Sequence, residues 1–167
     1  RVAVFIGGRS PEHDVSVVTG LQAFDAIDRA CFEPFLVYVT LGGTWYVGDG
    51  LASRSLYIPT PEACRALTKV TLDTGVDSMG VGRLIPEKKG MFGSSKPIVF
   101  DVAVLAFHGL FGEDGGFQGL FEAANVPYTG MRLMASAVFM DKVVTKRVLL
   151  GADVPQLPFA VVDRPFL

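Results

Sequence analysis

At 167 residues, half of them apolar, the chain is long enough for one domain with a sizeable core. A charged fraction of 19% with a formal net charge of −2 argues against a nucleic-acid binder, which concentrates basic side chains on one face. No apolar run approaches the roughly 18–20 residues that cross a bilayer, and the opening residues lack a signal-peptide core.

Residues 2–6 form an apolar run dense in Val and Ile, closed by Gly7-Gly8, the pattern of a short strand buried on both faces. A polar loop follows at 9–14, with Pro11 suited to its turn. From about Val15 the spacing becomes helical, with Val17, Val18, Leu21, Phe24 and Ile27 three and four apart. Asp14 or Ser16 is positioned to cap that helix. Residues 35–39 read as a second strand, and 41–47, with Gly42-Gly43, as part of a hairpin. A short helix is expected at 63–67. The stretch 75–97 is rich in Gly, Ser and Lys and reads as a hairpin or loop insertion, its Lys88, Lys89 and Lys96 solvated. Cys31 and Cys64 form no CxxC, so free thiols in a reducing cytoplasm are the simpler expectation.

Regularity returns over 99–107, the most apolar strand candidate, interrupted only by Asp101. It ends at His108-Gly109, before a loop over 110–116. A helix then runs from about Phe117, with Phe117, Leu120, Phe121 and Ala124 as its apolar stripe. Residues 126–128 read as a short strand, 135–150 as a last helix stopped by Gly151, and 159–162 as one more strand. The repeated order of strand, loop and helix predicts an α/β fold, a mostly parallel sheet with helices on both faces. Ligands of such sheets sit beyond the carboxyl ends of the strands, where the loops 7–14 and 108–116 fall.

The first loop, G-G-R-S-P-E-H-D-V-S, is neither a dinucleotide fingerprint nor a P-loop. Its Glu12 precedes a helix N-terminus, where the dipole favours a carboxylate and a capping acid is the default reading. The second loop, H-G-L-F-G-E-D-G-G-F-Q-G, leaves little side-chain bulk around His108, Glu113 and Asp114. Those three have no metal-ligand spacing, and no metal site is assigned within the chain. Lys142 and Lys146 fall at i and i+4 on the last helix, a solvated stripe by default.

Three segments together resemble the D-alanine–D-alanine ligase family. Residues 7–16 resemble its opening motif. F-H-G-L-F-G-E-D-G-G-F-Q-G-L-F-E at 107–122, running into V-P-Y-T-G at 126–130, resembles its second signature. A-S-A-V-F-M-D-K at 135–142, followed by K-R-V-L-L-G-A-D-V-P, resembles its entry into the ATP-grasp region. The resemblance implies a Rossmann-like, pre-ATP-grasp substrate-binding domain over 1–141 and the beginning of a central ATP-grasp domain over 142–167. It implies joining of two D-alanines with ATP and Mg²⁺ through an acyl phosphate, for peptidoglycan precursors. The expected setting is a cytoplasmic homodimer without nucleic-acid or membrane partners. On matching positions, Glu12 is the catalytic residue, holding the ammonium of the first D-alanine. Val15 packs near its methyl group, Ser16 supports the site, His108 approaches the substrate carboxylate and Glu113 orients that loop. Lys142 reaches the ATP phosphates. The family's other ATP and Mg²⁺ ligands lie C-terminal to Leu167, so the expectation is that these residues alone do not turn over. The E-H-D-V-S form is shared with ligases that join D-alanine to D-lactate or D-serine. A free-standing, non-catalytic small-molecule-binding domain is the alternative of another class; it predicts a covered sheet edge, whereas a ligase fragment should expose an apolar patch where the central domain docks.

Overall fold

The computed structural model describes residues 1–53, 57, 66–75, 80–87 and 96–162. Val2–Gly7 (β1) is buried along its whole length. Its Val2, Val4 and Ile6 pack with Val17 and Leu21 of the helix His13–Ala26 (α1). Ala3 and Phe5 point the other way, into a cluster with Phe121 of the helix Gly116–Ala123 (α2). A strand covered on both sides has no polar face to display, which is why its sequence does not alternate. Gly20 lets α1 lie close on β1: a Cβ there would fall 2.1 Å from Ile6 Cγ2.

Pro34–Val39 (β2) runs parallel to β1 and turns back into Trp45–Val47 (β3). The turn is closed by the Thr40 N–H donating to the Thr44 carbonyl at 2.9 Å. Thr68–Leu72 (β4), Gly82–Pro86 (β5) and Ile98–Phe100 (β6) continue the sheet, and Val102–Leu105 (β7) pairs parallel with the far side of β1. The strand order is β6-β5-β4-β3-β2-β1-β7. The α/β class and the helices on both faces agree with the sequence reading. The sheet is mixed, however: β7, β1 and β2 are parallel, whereas every pairing from β2 outward to β6 is antiparallel. The parallel β1–β2 pair needs a crossover, which α1 supplies, whereas the chain reaches β7 through the antiparallel strands. The stretch read as a hairpin or loop insertion contributes β5. The helix expected at 63–67 falls largely on residues outside those described.

β6 and β7 lie on opposite edges of the sheet, yet only Asp101 separates them in sequence. The sheet therefore curls until its edges meet, and the single strand expected over 99–107 divides at this corner. Ile98 and Phe100 face the Phe5 side before it, and Ala103, Leu105 and Phe107 after it, so the alternation slips by one residue. The Asp101 N–H donates to the Arg1 carbonyl at 2.9 Å. Phe5, Phe100 and Phe121, all fully buried, fill the enclosed side. The Phe5 ring meets Phe100 at 6.1 Å and Phe121 at 5.1 Å, both edge-to-face, the arrangement the ring quadrupoles favour.

The helix expected over 135–150 is two helices, Leu133–Met140 (α3) and Lys142–Gly151 (α4). Asp141 stands between them in an extended conformation. Its carboxylate accepts from the Val143 and Val144 N–H groups at 2.8 and 2.9 Å, an N-cap that starts a new helix. Residues 126–128 form a single bridge, Tyr128 to Ala103, rather than a strand. Residues 159–162 are also not a strand: Phe159 sits against Lys146 of α4, 5.2 Å from ring centre to ammonium, instead of at a sheet edge. Among the described residues no helix is long and apolar enough to cross a membrane.

Candidate functional site

Because β1 and β7 are adjacent and parallel, the loops leaving their carboxyl ends emerge side by side. One leads into α1, the other into α2. Ser16 joins them from below. It is not the helix cap that its position suggested but a fully buried residue of α1. Its Oγ accepts from the Gly7 N–H at 2.8 Å and donates to the Ala106 carbonyl at 2.7 Å. One hydroxyl thus satisfies a backbone group from the end of each strand, which burial would otherwise leave unpaired.

Asp14 does not cap α1 either. Glu12 occupies the N-cap position, but its carboxylate makes no capping bond. Instead buried Ser10 accepts from the Glu12 N–H at 3.0 Å, which removes the capping reading of Glu12. The Glu12 carboxylate, on an exposed residue, lies against the second loop. Gly109 has φ +69°, and a Cβ on it would sit 2.7 Å from Glu12 Oε1 and 2.8 Å from Ser10 Oγ. Only glycine allows the two loops to approach this closely.

The second loop is held by its own carboxylates. The Gly109 N–H donates to Glu113 Oε2 at 2.6 Å, and Asp114 accepts from the Phe111 and Gly116 N–H groups at 2.8 and 3.0 Å. Both acids are engaged with backbone, and among the described residues no three His, Cys, Asp or Glu side chains gather as metal ligands. Across the gap the Arg9 guanidinium lies 5.1 Å from the centre of the Phe111 ring.

The two histidines differ in kind. His13 is buried, with Nδ1 at 2.7 Å from the Gly8 carbonyl and Nε2 at 3.1 Å from the Tyr38 hydroxyl, so it ties the first loop to β2. His108 is half-buried, and its Nε2 lies 2.8 Å from Thr19 Oγ1. Val15 is 49% exposed on the first turn of α1. Glu12, His108 and Glu113 therefore belong to one loop cluster, with Ser16 beneath it. Lys142 stands apart at the exposed start of α4. Sequence reasoning passed over Ser10, Thr19 and Gly109. Ser10 had a usable signal, a short hydroxyl just ahead of a helix start; Thr19 had none, since its partner is 89 residues away.

Behind the loops, Glu122 of α2 accepts from the Tyr128 hydroxyl at 2.6 Å and from the Leu133 N–H at 3.1 Å, with Arg132 Nε at 3.5 Å. The Tyr128 bond, followed by the Leu133 N–H, holds the Glu122 carboxyl below the usual carboxylate range. Burial, then the bond to Glu122, pushes the Tyr128 hydroxyl up to about 12. The cluster fixes the start of α3, which leads to Asp141 and Lys142.

The family model described as "D-ala D-ala ligase N-terminus" matches residues 1–131. The chain belongs to this family. The D-alanine--D-alanine ligase of Heliobacterium modesticaldum is 36% identical over 174 residues, covering 98% of this chain and 42% of its own length. The D-alanine-D-alanine ligase structure from Coxiella burnetii superposes with a TM-score of 0.72 at 27% identity, covering 90% of this chain and 40% of that one. The VanG D-Ala:D-Ser ligase from Enterococcus faecalis superposes with a TM-score of 0.74 at 26% identity, covering 91% of this chain and 41% of that one. The chain spans about two fifths of the length of these relatives. The stretch matching the ligase N-terminus family includes both loops, α1 and α2; Lys142 lies beyond it.

Proposed function

We propose that the chain is the N-terminal part of an ATP-dependent D-alanine–D-alanine ligase, a cytoplasmic homodimer that makes the dipeptide for peptidoglycan precursors. The observation that carries this reading is the meeting of Glu12 with the His108–Glu113 loop beyond adjacent parallel strands, in a chain of this family. Glu12, exposed and relieved of capping, receives the ammonium of the first D-alanine through charge-assisted hydrogen bonds. Val15, three residues along the same helix face, offers apolar surface to its methyl group. His108 serves the carboxylate side, and Glu113 keeps the loop in shape by holding the Gly109 N–H. Ser16 keeps the two strand ends in register beneath the substrate.

ATP supplies the phosphoryl group that activates the first carboxylate. Toward it this chain contributes Lys142: Asp141 already occupies two of the first-turn N–H groups of α4, so phosphate contact there falls to the exposed Lys142 ammonium. Mg²⁺ would need oxygen ligands that the described carboxylates do not gather to provide. Phosphoryl transfer asks chiefly for positioning and charge neutralisation, which these residues are suited to give.

We set the start of the central domain after Asp141. Met134, Val148, Leu150, Leu157 and Val162 all stand exposed on α3, α4 and the residues that follow. An apolar surface of that kind favours a segment that docks on further structure over a free-standing binding domain. A D-serine acceptor is the second reading, favoured by the likeness to the D-Ala:D-Ser ligase. The test is phosphate release by the whole enzyme with ATP, Mg²⁺ and D-alanine, with and without D-serine or D-lactate. Glu12→Ala should lower kcat/KM for D-alanine about ten- to a hundredfold, the loss of a charged hydrogen bond. Absence of phosphate release dependent on D-alanine would refute the ligase reading.

A further inference from the structure

We infer that Thr19 is a positioning residue for His108, fixing its ring as the Nε2–H tautomer and leaving Nδ1 as the nitrogen that meets a ligand. Thr19 Oγ1 has three polar neighbours: the Val15 carbonyl at 2.9 Å, the Ser16 carbonyl at 3.4 Å and His108 Nε2 at 2.8 Å. A carbonyl only accepts, and a hydroxyl has one proton to give. Bonding back to the carbonyl four residues earlier is the ordinary habit of a helical threonine. With its proton committed there, the hydroxyl presents a lone pair to the imidazole, so Nε2 carries the hydrogen of the third contact. Nδ1 has no hydrogen-bond partner among the described residues. It is then a lone-pair acceptor in the neutral ring and a second N–H donor in the protonated one.

The buried histidine takes the opposite form. His13 Nδ1 faces the Gly8 carbonyl and must donate, while its Nε2 accepts from the Tyr38 hydroxyl. The chain has only these two histidines. Its imidazole spectrum should therefore contain one ring of each tautomer, with His13 serving as an internal report on the fold. The ligand-facing role of Nδ1 rests on the ligase reading above; the tautomer does not.

The experiment is a long-range ¹H–¹⁵N spectrum of the ¹⁵N-labelled 167-residue chain, the two rings assigned with His108→Gln. His108 is expected as Nε2–H in the wild type and in Thr19→Ser, which keeps the hydroxyl. In Thr19→Val it should shift to a mixture of tautomers while the His13 signals stay in place; Thr19→Ala, a better helix former, is read alongside to separate ring effects from misfolding. An Nδ1–H ring in the wild type would overturn the assignment, as would an unchanged His108 pattern in both hydroxyl-free variants. In the whole enzyme, Thr19→Val should lose kcat/KM for D-alanine with the KM for ATP unmoved, and Thr19→Ser should restore it. A tautomer that responds as stated without that kinetic loss overturns His108 Nδ1 as the ligand-facing nitrogen, while Thr19 keeps its place; only the absence of D-alanine-dependent turnover counts against the ligase reading.

Discussion

Replacing Ser16 with alanine should cost far more than its small size suggests. The substitution strands two buried backbone groups at once, the Gly7 N–H and the Ala106 carbonyl, whose bonds to Oγ are 2.8 and 2.7 Å long. Leaving a buried donor or acceptor unpaired costs about 1–3 kcal/mol, so the two together should remove about 2–6 kcal/mol. With a urea m-value of about 2 kcal/mol/M, the unfolding midpoint should fall by roughly 1–3 M. The chain's one tryptophan, Trp45, makes a convenient probe: it stacks on Phe117 at 5.6 Å and meets Phe5 at 5.4 Å, so its fluorescence reports the core directly. The control is Val18→Ala at a residue 41% exposed, expected to stay within about 0.5 kcal/mol. If Ser16→Ala lost no more than that control, the bridge between the strand ends would not be what holds β1 and β7 together at the site.

Gly109→Ala should destabilise the fold by about 1–2 kcal/mol from its left-handed backbone alone. Its methyl group also displaces the Glu12 carboxylate, so kcat/KM for the proposed ligase reaction should drop by more than the urea midpoint would suggest. Asp141→Ala removes the cap of α4 and should cost about 1 kcal/mol by thermal melting, with Asp141→Asn milder because the acceptor survives. Stability should also fall in alkali. The Tyr128 hydroxyl is raised from 10.0 to about 12, so folding favours its neutral form. That contribution is intact below pH 10 and lost as pH climbs to about 12, and Tyr128→Phe should flatten this slope in denaturation curves. Glu122 acts in the opposite sense: its lowered carboxyl contributes above the usual carboxylate range and loses that contribution as acid protonates it.

The parts of the fold that could be read from sequence are those whose cause is local. Residues 2–6 announced a buried strand because both faces of β1 are covered, and Phe117, Leu120 and Phe121 announced α2 by their spacing. Asp141 was hidden because α3 and α4 keep their apolar character on both sides of it; only the extended backbone and the side-chain cap reveal the break. Asp101 was hidden for a similar reason, since a run of apolar residues records burial but not which neighbour provides it. The same limit governs the site. The loop signatures brought Glu12, His108 and Glu113 forward as candidates, whereas pattern alone offered Ser16 as a cap, because its partners lie on β1 and just beyond β7. Residues joined only across the tertiary structure, such as Thr19 and His108, leave no trace in spacing.

The corner at Asp101 makes the protein sensitive to length rather than to chemistry at that point. Side chains on a strand change face with every residue, and the single slip there is what sends Phe100 and Ala103 to the same interior. Deleting one residue would force a choice: either Ile98 and Phe100 leave the enclosed side, or Ala103, Leu105 and Phe107 do. The second outcome would also turn over the stretch carrying Ala106 and His108, and with it the loop that follows. The exposed turn between Thr40 and Thr44, closing an antiparallel pair, has room to grow or shrink. At the corner the chain acts as a measured spacer, and its count of residues sets the direction in which the site faces.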